Sequence, residues 1–164
     1  MLETGHNNWD YKVLEVKRVT KVIPGGKRFK LKAVVVAGDR QGRVGLGIGK
    51  ANDLALAVEK ARRLARKNSI KVPIVNQTIP YEVEAKVKTS RVLLKPAPAG
   101  HGLIASGVVR AILDLCGIEN VTSKLLGKTK NNFNNSLAIL AALKKLTLYV
   151  QDVDKPDQVQ TETF

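Results

Sequence analysis

The run Val44-Gly45-Leu46-Gly47-Ile48-Gly49 constrains this chain more than any other stretch. Side chains on a strand alternate between faces, so these residues give one apolar face and one face with no side chains. Glycine inside a strand costs backbone entropy and offers nothing to pack, so a bare face implies that another chain segment or a ligand comes close. Either a phosphate backbone approaches Gly45, Gly47 and Gly49, or the face accommodates a crossing helix or a bulge. A Walker A loop is excluded, because Val44 stands where its first glycine belongs and Ala51 where it needs Ser or Thr. The dinucleotide fingerprint fails as well, with Lys50 in place of its third glycine.

The flanking sequence predicts a strand pair and a helix. From Phe29 to Ala37 the residues Phe29, Leu31, Ala33 and Val35 alternate with Arg28, Lys30 and Lys32. The Asp39–Gly42 turn then leads into the strand Arg43–Gly49. Asn52 or Asp53 can cap a following helix, with Leu54, Val58, Ala61 and Ala65 as its apolar stripe and Leu64 at the edge. Lys60, Arg63 and Lys67 share another face, with Arg62 and Arg66 beside them. Upstream, Val13–Ile23 reads as a strand whose alternation slips at Lys17-Arg18, which predicts a bulge or a strong twist there. Pro24-Gly25-Gly26 is a hairpin turn with Lys21, Lys27 and Arg28 at its base, suited either to reaching phosphates or to facing solvent.

Residues 1–11 read as a mobile head that Trp9 and Tyr11 pin to the core, and 12–73 as a first domain. Residues 74–150 read as a second domain and 151–164 as an acidic mobile tail. In the second domain, strands are predicted over Ile79–Val87, Arg91–Leu94 and Ile118–Leu126. Helices are predicted over Leu103–Leu115, ended by Gly117, and Asn134–Leu146. The fold class is therefore α+β, with a β-β-β-α domain followed by β-β-α-β-α. Pro96–Gly102 is a glycine-rich loop that, opening a helix, can hold an anion with His101 beside it. Asn131, Asn132, Asn134 and Asn135 can either contact a partner or cap the last helix. Glu82 and Glu84 share a strand face as an acid/base pair or, with no nucleophile or ligand nearby, as solvated edge charges.

Charge narrows the partner. The 164 residues carry 28 Lys/Arg against 14 Asp/Glu, a net +14, which points to a polyanion and first to nucleic acid. Residues 1–73 hold 17 of the cations, so contact is expected mainly there. Few aromatics argue against single-strand stacking and against an amphipathic membrane anchor. The lone Cys116 fits a helix core in a reducing compartment. No metal site, cofactor, small-molecule substrate or membrane partner is expected.

Three ordered blocks resemble the bacterial-type small-ribosomal-subunit protein five family: VKRVTKVIPGGKRFKLKAVVVAGDRQGRVGLGIGKA, SRVLLKPAPAGHGLIASGVVRAILDLCGIENV, and the Gly127–Asn134 loop. The resemblance covers about residues 12–148. It implies a non-catalytic rRNA-binding protein whose first domain is like a double-stranded-RNA-binding fold lacking its first helix. The implied rRNA-binding positions are Lys17, Arg18, Lys21, Gly25, Gly26, Lys27, Arg28, Lys30, Lys32, Arg43, Gly45, Gly47, Gly49, Lys50, Lys60, Arg63 and Lys67. The implied protein-interface positions are Gly100, His101, Gly102, Gly107, Arg110, Asn131 and Asn134, toward proteins four and eight of the same subunit. The first of those contacts is implicated in decoding accuracy, and mRNA is a further partner where it enters the subunit. His101, Lys128-Thr129 and Asn132 depart from the family pattern. GKANDL resembles plastid and cyanobacterial members, so the implied location is a ribosome in a plastid (chloroplast) stroma or a bacterial cytoplasm.

Overall fold

The computed structural model describes residues 9–153, with side chains to Thr147, so most of the expected head and tail lies outside the described residues. Strand β1 (Asp10–Ile23) turns through Pro24-Gly25 into β2 (Gly26–Gly38), and β2 turns through 39–42 into β3 (Arg43–Ala51). These are antiparallel neighbours, and the two-residue β4 (Ile70–Lys71) completes the sheet in the order β1-β2-β3-β4. Gly25 at φ +93° and Gly26 at φ +144° supply the positive dihedrals of the first turn. In the second turn, the Asp39 carboxylate accepts the amides of Gln41 (2.8 Å) and Arg43 (2.9 Å), which holds Arg40 at φ +55°.

Helix α1 (Leu54–Lys67) lies on the bare glycine face. A Cβ at Gly45, Gly47 or Gly49 would lie under 3.0 Å from the carbonyl oxygens of Ala65, Ala61 and Ala57 respectively. The helix therefore runs antiparallel to β3 and buries Ala57, Ala61 and Ala65, at i, i+4 and i+8, against it. This corrects the expected stripe: Ala57 replaces Leu54, which is 42% exposed, and Leu64 is 41% exposed. Alanine wins because two backbones this close leave no room for leucine.

The opposite sheet face is covered by the second half of the chain. There β5 (Val83–Val87), β6 (Ser90–Pro96), β7 (Leu103–Ile104) and β8 (Val121–Leu125) form a sheet in the order β5-β6-β8-β7. Helix α3 (Asn132–Val153) packs on it, and α2 (Gly107–Cys116) lies against α3 and the first sheet. Val34, Val36, Val44 and Leu46 of the first sheet join Ile112, Leu113, Ile139 and Leu143 in one buried core. Each fully buried aliphatic side chain there contributes about 1.5–3 kcal/mol relative to exposure. The joint is also polar, because the α2 C-terminus has carbonyls without helical partners. The Arg40 amide donates to the Leu115 carbonyl (3.0 Å) and the Gly42 amide to the Cys116 carbonyl (2.9 Å).

The architecture is α+β, a β-β-β-α unit followed by a second β/α unit, with local corrections. The β1 irregularity falls between Val13 and Glu15, not at Lys17-Arg18, which pair normally with Lys32 and Leu31. The shift sets Val13 opposite Val35 and Val16 opposite Ala33, on one sheet face, and leaves Leu14 packed against the main core. Strand β1 starts at Asp10, inside the expected head, with Trp9 buried against Ala37 and Ala65. Leu103-Ile104 is a strand parallel to β8, so the Pro96–Gly102 loop opens no helix and α2 starts four residues later than expected. The strands expected at Ile79 and Ile118 begin at Val83 and Val121, and the last helix extends over Asn132–Val153, into the expected tail.

Candidate nucleic-acid interface

Strand β3 pairs with β2 only from Leu31 to Gly38, so the outer parts of β1 and β2 project beyond the sheet as a two-stranded ribbon. Directly paired residues share a face. Lys17, Lys32 and Lys50 are paired in a row across three strands, and Lys21 is paired with Arg28 farther out. Lys30 lies between those two rows, opposite Val19. All six cations occupy the face that carries Val34 and Val36 nearer the base. The same face is thus apolar where the second unit covers it and basic where it emerges.

A groove of about 430 Å³ opens on this face, lined by Val19, Thr20, Lys21, Ile23, Arg28, Lys30 and Lys50. Lys17 is held by Glu15 (2.8 Å), and the Lys32 ammonium sits 5.5 Å from the centre of the Phe133 ring on α3. Lys21, Arg28, Lys30 and Lys50 have no carboxylate partner among the described residues. Their charge is uncompensated, and the sheet fixes their spacing. Gly25 and Gly26 at the tip are exposed, with open space around them.

The other expected RNA residues separate from this cluster. Arg18 and Lys27 lie on the reverse face of the ribbon, Arg18 over the Phe29 ring at 4.8 Å. Arg43 starts β3 seven residues from Lys50, about 23 Å away along the strand. Lys60, Arg63 and Lys67 sit on α1, also on the reverse side. Gly45, Gly47 and Gly49 are buried under α1, so they are removed from the candidate RNA surface: the backbone that approaches them is the chain's own.

The expected protein-interface residues form two separate groups. Gly100, His101 and Gly102 form an open loop, whose Gly102 amide donates to the Asn120 side-chain oxygen (3.0 Å). Near it stand Gly107, the first residue of α2, and Arg110, which donates to the Leu103 carbonyl (3.4 Å). Asn131 and Asn134 are at the other end of β8. The Asn131 side chain accepts the Phe133 amide (3.1 Å), the capping alternative. Sequence reasoning passed over Asn120, and offered Asn135 only as a partner contact or a helix cap. Buried Asn135 accepts the Ser90 hydroxyl (2.6 Å) and ties the Thr129 loop to β6. Its signal was an Asn at a position facing the core, where only a paired amide is tolerated.

Two other candidates take structural roles. Glu84 pairs with Arg91 and Glu82 with Lys95 (3.3 Å), each across β5 or its lead-in and β6. Hydrogen bonding from Arg91 holds the Glu84 carboxyl below its ordinary value, so it is an ion-pair member and not a proton donor. Burial, with Asp39 nearby, pushes the Cys116 thiol up to about 12, which makes it inert at neutral pH. Among the described residues no group of His, Cys, Asp or Glu could hold a metal, and no helix is long and apolar enough to cross a membrane.

Residues 9–73 match the family described as ribosomal protein S5, N-terminal domain, and residues 85–155 match ribosomal protein S5, C-terminal domain. Small ribosomal subunit protein uS5 of Thermotoga neapolitana is 45% identical over 146 residues, 89% of this chain and 82% of the relative. The protein of that name from Thermus thermophilus is 45% identical over 139 residues, 85% of each chain. The one from Mycoplasmopsis agalactiae is 46% identical over 142 residues, 86% of this chain and 61% of the relative. All three bear the name of a ribosomal protein and none that of an enzyme. With both halves matched in order, the chain belongs to the ribosomal protein S5 family.

Proposed function

We propose that the protein is a structural, non-catalytic constituent of the small ribosomal subunit that grips rRNA with its basic ribbon face. The observation that carries this reading is the set Lys21, Arg28, Lys30 and Lys50, uncompensated and fixed in spacing beside a rigid apolar joint. Such cations release counterions from phosphates, and a broad strand surface reads the shape of an RNA duplex, not its base sequence. The family membership and the names of the relatives support the ribosomal setting. The second unit meets neighbouring ribosomal proteins: the 97–102 loop with Arg110 faces protein four, in a contact that bears on decoding accuracy, and the Asn131 end faces protein eight. Messenger RNA passes near the α1 face. The ribosome is that of a bacterium, as in these relatives, or of a plastid, as the GKANDL segment suggests.

The test is binding of the purified chain to small-subunit rRNA and to unrelated RNA of equal length, across a salt series. The expected result is a preference for rRNA that survives high salt, with a slope that flattens by about 0.7–0.9 for each phosphate contact removed at Lys21, Arg28 or Lys30. Equal affinity for both RNAs, or an unchanged slope in the triple variant, would overturn the reading.

A further inference from the structure

Strand β3 has one covered edge and one that is mostly open. The Arg43 carbonyl accepts the Asp39 amide on the β2 side (3.2 Å), and Val44 pairs with Ile70 on the other side. Backbone groups alternate sides along a strand, so the N–H and C=O of Leu46, Ile48 and Lys50 also point away from β2. Strand β4 stops after two residues, and among the described residues nothing pairs with these outward groups. Leu46 is nevertheless buried, and buried backbone groups are as a rule paired.

A groove of about 410 Å³ follows this open edge, walled by Leu64 and Asn68 of α1 and by Phe133, Leu137 and Leu140 of α3. A strand edge set between two apolar walls suits an extended segment: main-chain hydrogen bonds hold it, and alternate side chains fill the two sides. Arg62 and Arg66 lie over the Tyr11 and Trp9 rings at 5.0 and 5.7 Å, which places that flank of α1 beside β1. The other flank, with Leu56, Lys60 and Leu64 at four-residue steps, therefore faces the open edge. Leu56 is 51% exposed, and Lys60 has no carboxylate partner among the described residues.

The chain itself continues toward this groove. Helix α3 runs antiparallel to β3: Phe133 lies by Lys32, the partner of Lys50, whereas the Thr147 hydroxyl donates to the carbonyl of Lys71, the partner of Arg43 (2.7 Å). A chain turning back after Val153 would therefore run parallel to β3. Pro156 cannot continue a helix, and in Val159–Phe164 the β-branched Val159, Thr161 and Thr163 alternate with Gln160, Glu162 and Phe164. Leu140 lies 13 residues before Val153 (153 − 140), about 20 Å at the helical rise. Six extended residues cover the same distance, which sets Val159 level with Leu46. In that register Val159, Thr161 and Thr163 face α3. Gln160 then falls beside Asn68 and Leu64, Glu162 beside Lys60 at the level of Gly49, and Phe164 beside Leu56.

We infer that residues 159–164 add to the open edge of β3 as a fifth strand of the first sheet, parallel to β3 and held between α1 and α3. The segment pairs the outward groups of Leu46, Ile48 and Lys50 and denies the edge to a second copy. Because it touches both helices, it also straps the two units together across their shared core. The inference does not rest on RNA binding, and its test contains no RNA.

The experiment is residue-resolved amide exchange on the full chain. In the parallel ladder the amides of Gln160 and Glu162 donate to the Leu46 and Ile48 carbonyls, while that of Thr161 points outward. In Gln160→Pro the amides of Leu46, Ile48 and Lys50 should exchange at least about tenfold faster than in the parent. Those of Gly45, Gly47 and Gly49, which face β2, should not change. Thr161→Pro, which removes no ladder hydrogen bond, should leave protection within about threefold of the parent. Glu162→Lys should speed exchange at Ile48 and Lys50, and Lys60→Glu added to it should restore the parent rate.

Equal exchange at Leu46, Ile48 and Lys50 in the parent and Gln160→Pro would overturn the inference, as would equal acceleration by the two proline variants. Protection that rises with protein concentration would overturn it too, since the edge would then be covered by a second copy of the chain.

Discussion

The two groups of glycines in the first unit do opposite work. At the base, Gly45, Gly47 and Gly49 have ordinary strand dihedrals and no space, because the α1 backbone lies against them. At the ribbon tip, Gly25 and Gly26 have open space and dihedrals that other residues avoid. The first group is required for packing and the second for chain reversal. Glycine at the base makes the sheet rigid on one side of its apolar joint; glycine at the tip lets the cations reach outward.

Substitution at the base should have the largest effect. In Gly47→Ala the new methyl meets the Ala61 carbonyl, a backbone atom that can move only if α1 lifts, so a loss of about 3 kcal/mol or more is expected. Thermal denaturation would measure it, and a melting temperature within a degree of the parent would refute the packing account. Next comes the triple variant Lys21→Gln/Arg28→Gln/Lys30→Gln. Its stability should stay within about 0.5 kcal/mol per site, while the logarithmic salt slope of RNA binding flattens by about 2–3. A destabilised triple variant would mean that the ribbon is part of the fold, not an appendage.

Gly25→Ala should cost about 1–2 kcal/mol from the positive φ alone, without a clash. A loss equal to that of Gly47→Ala, seen in parallel melts, would erase the distinction between tip and base. Cys116 gives the finest readout, since its carbonyl holds the Gly42 amide and its thiol is buried at the joint. At pH 8 a thiol reagent should leave the parent and Gly25→Ala unlabelled but react with Gly47→Ala as its base opens. Because the folded thiol titrates at about 12, above the ordinary thiol value, its contribution is complete below that ordinary value. It is lost as pH rises toward 12, so stability should fall in alkaline and not in acid solution on its account.

Much of this was legible in the chain. Alternation located β2 and β3, and the spacing of the glycines announced a close approach without naming the approaching group. Deciding between RNA and helix required knowing that Ala57, Ala61 and Ala65 share the four-residue step that matches the glycines, a relation between two elements and not within either. The charge of the ribbon was readable residue by residue, but which cations share a face depended on strand register, and hence on a shift at Val13 instead of Lys17. Leu103-Ile104 looked helical because two apolar residues before a helix carry no period of their own; pairing with β8 decides their conformation. Trp9 and Tyr11 were read as pins, but their second role under Arg66 and Arg62 joins residues about 50 positions apart, which no local pattern signals.

The shared core has a consequence for biosynthesis. Val34, Val36, Val44 and Leu46 complete their burial only against α2 and α3, and Leu143 lies 97 residues beyond Leu46 in the chain (143 − 46). At about 5–20 residues per second, a nascent first unit waits roughly 5–20 s with one apolar face uncovered beside a strongly cationic ribbon. During that interval the chain is both adhesive and highly charged, so newly made copies need either a chaperone on the apolar face or RNA on the basic one.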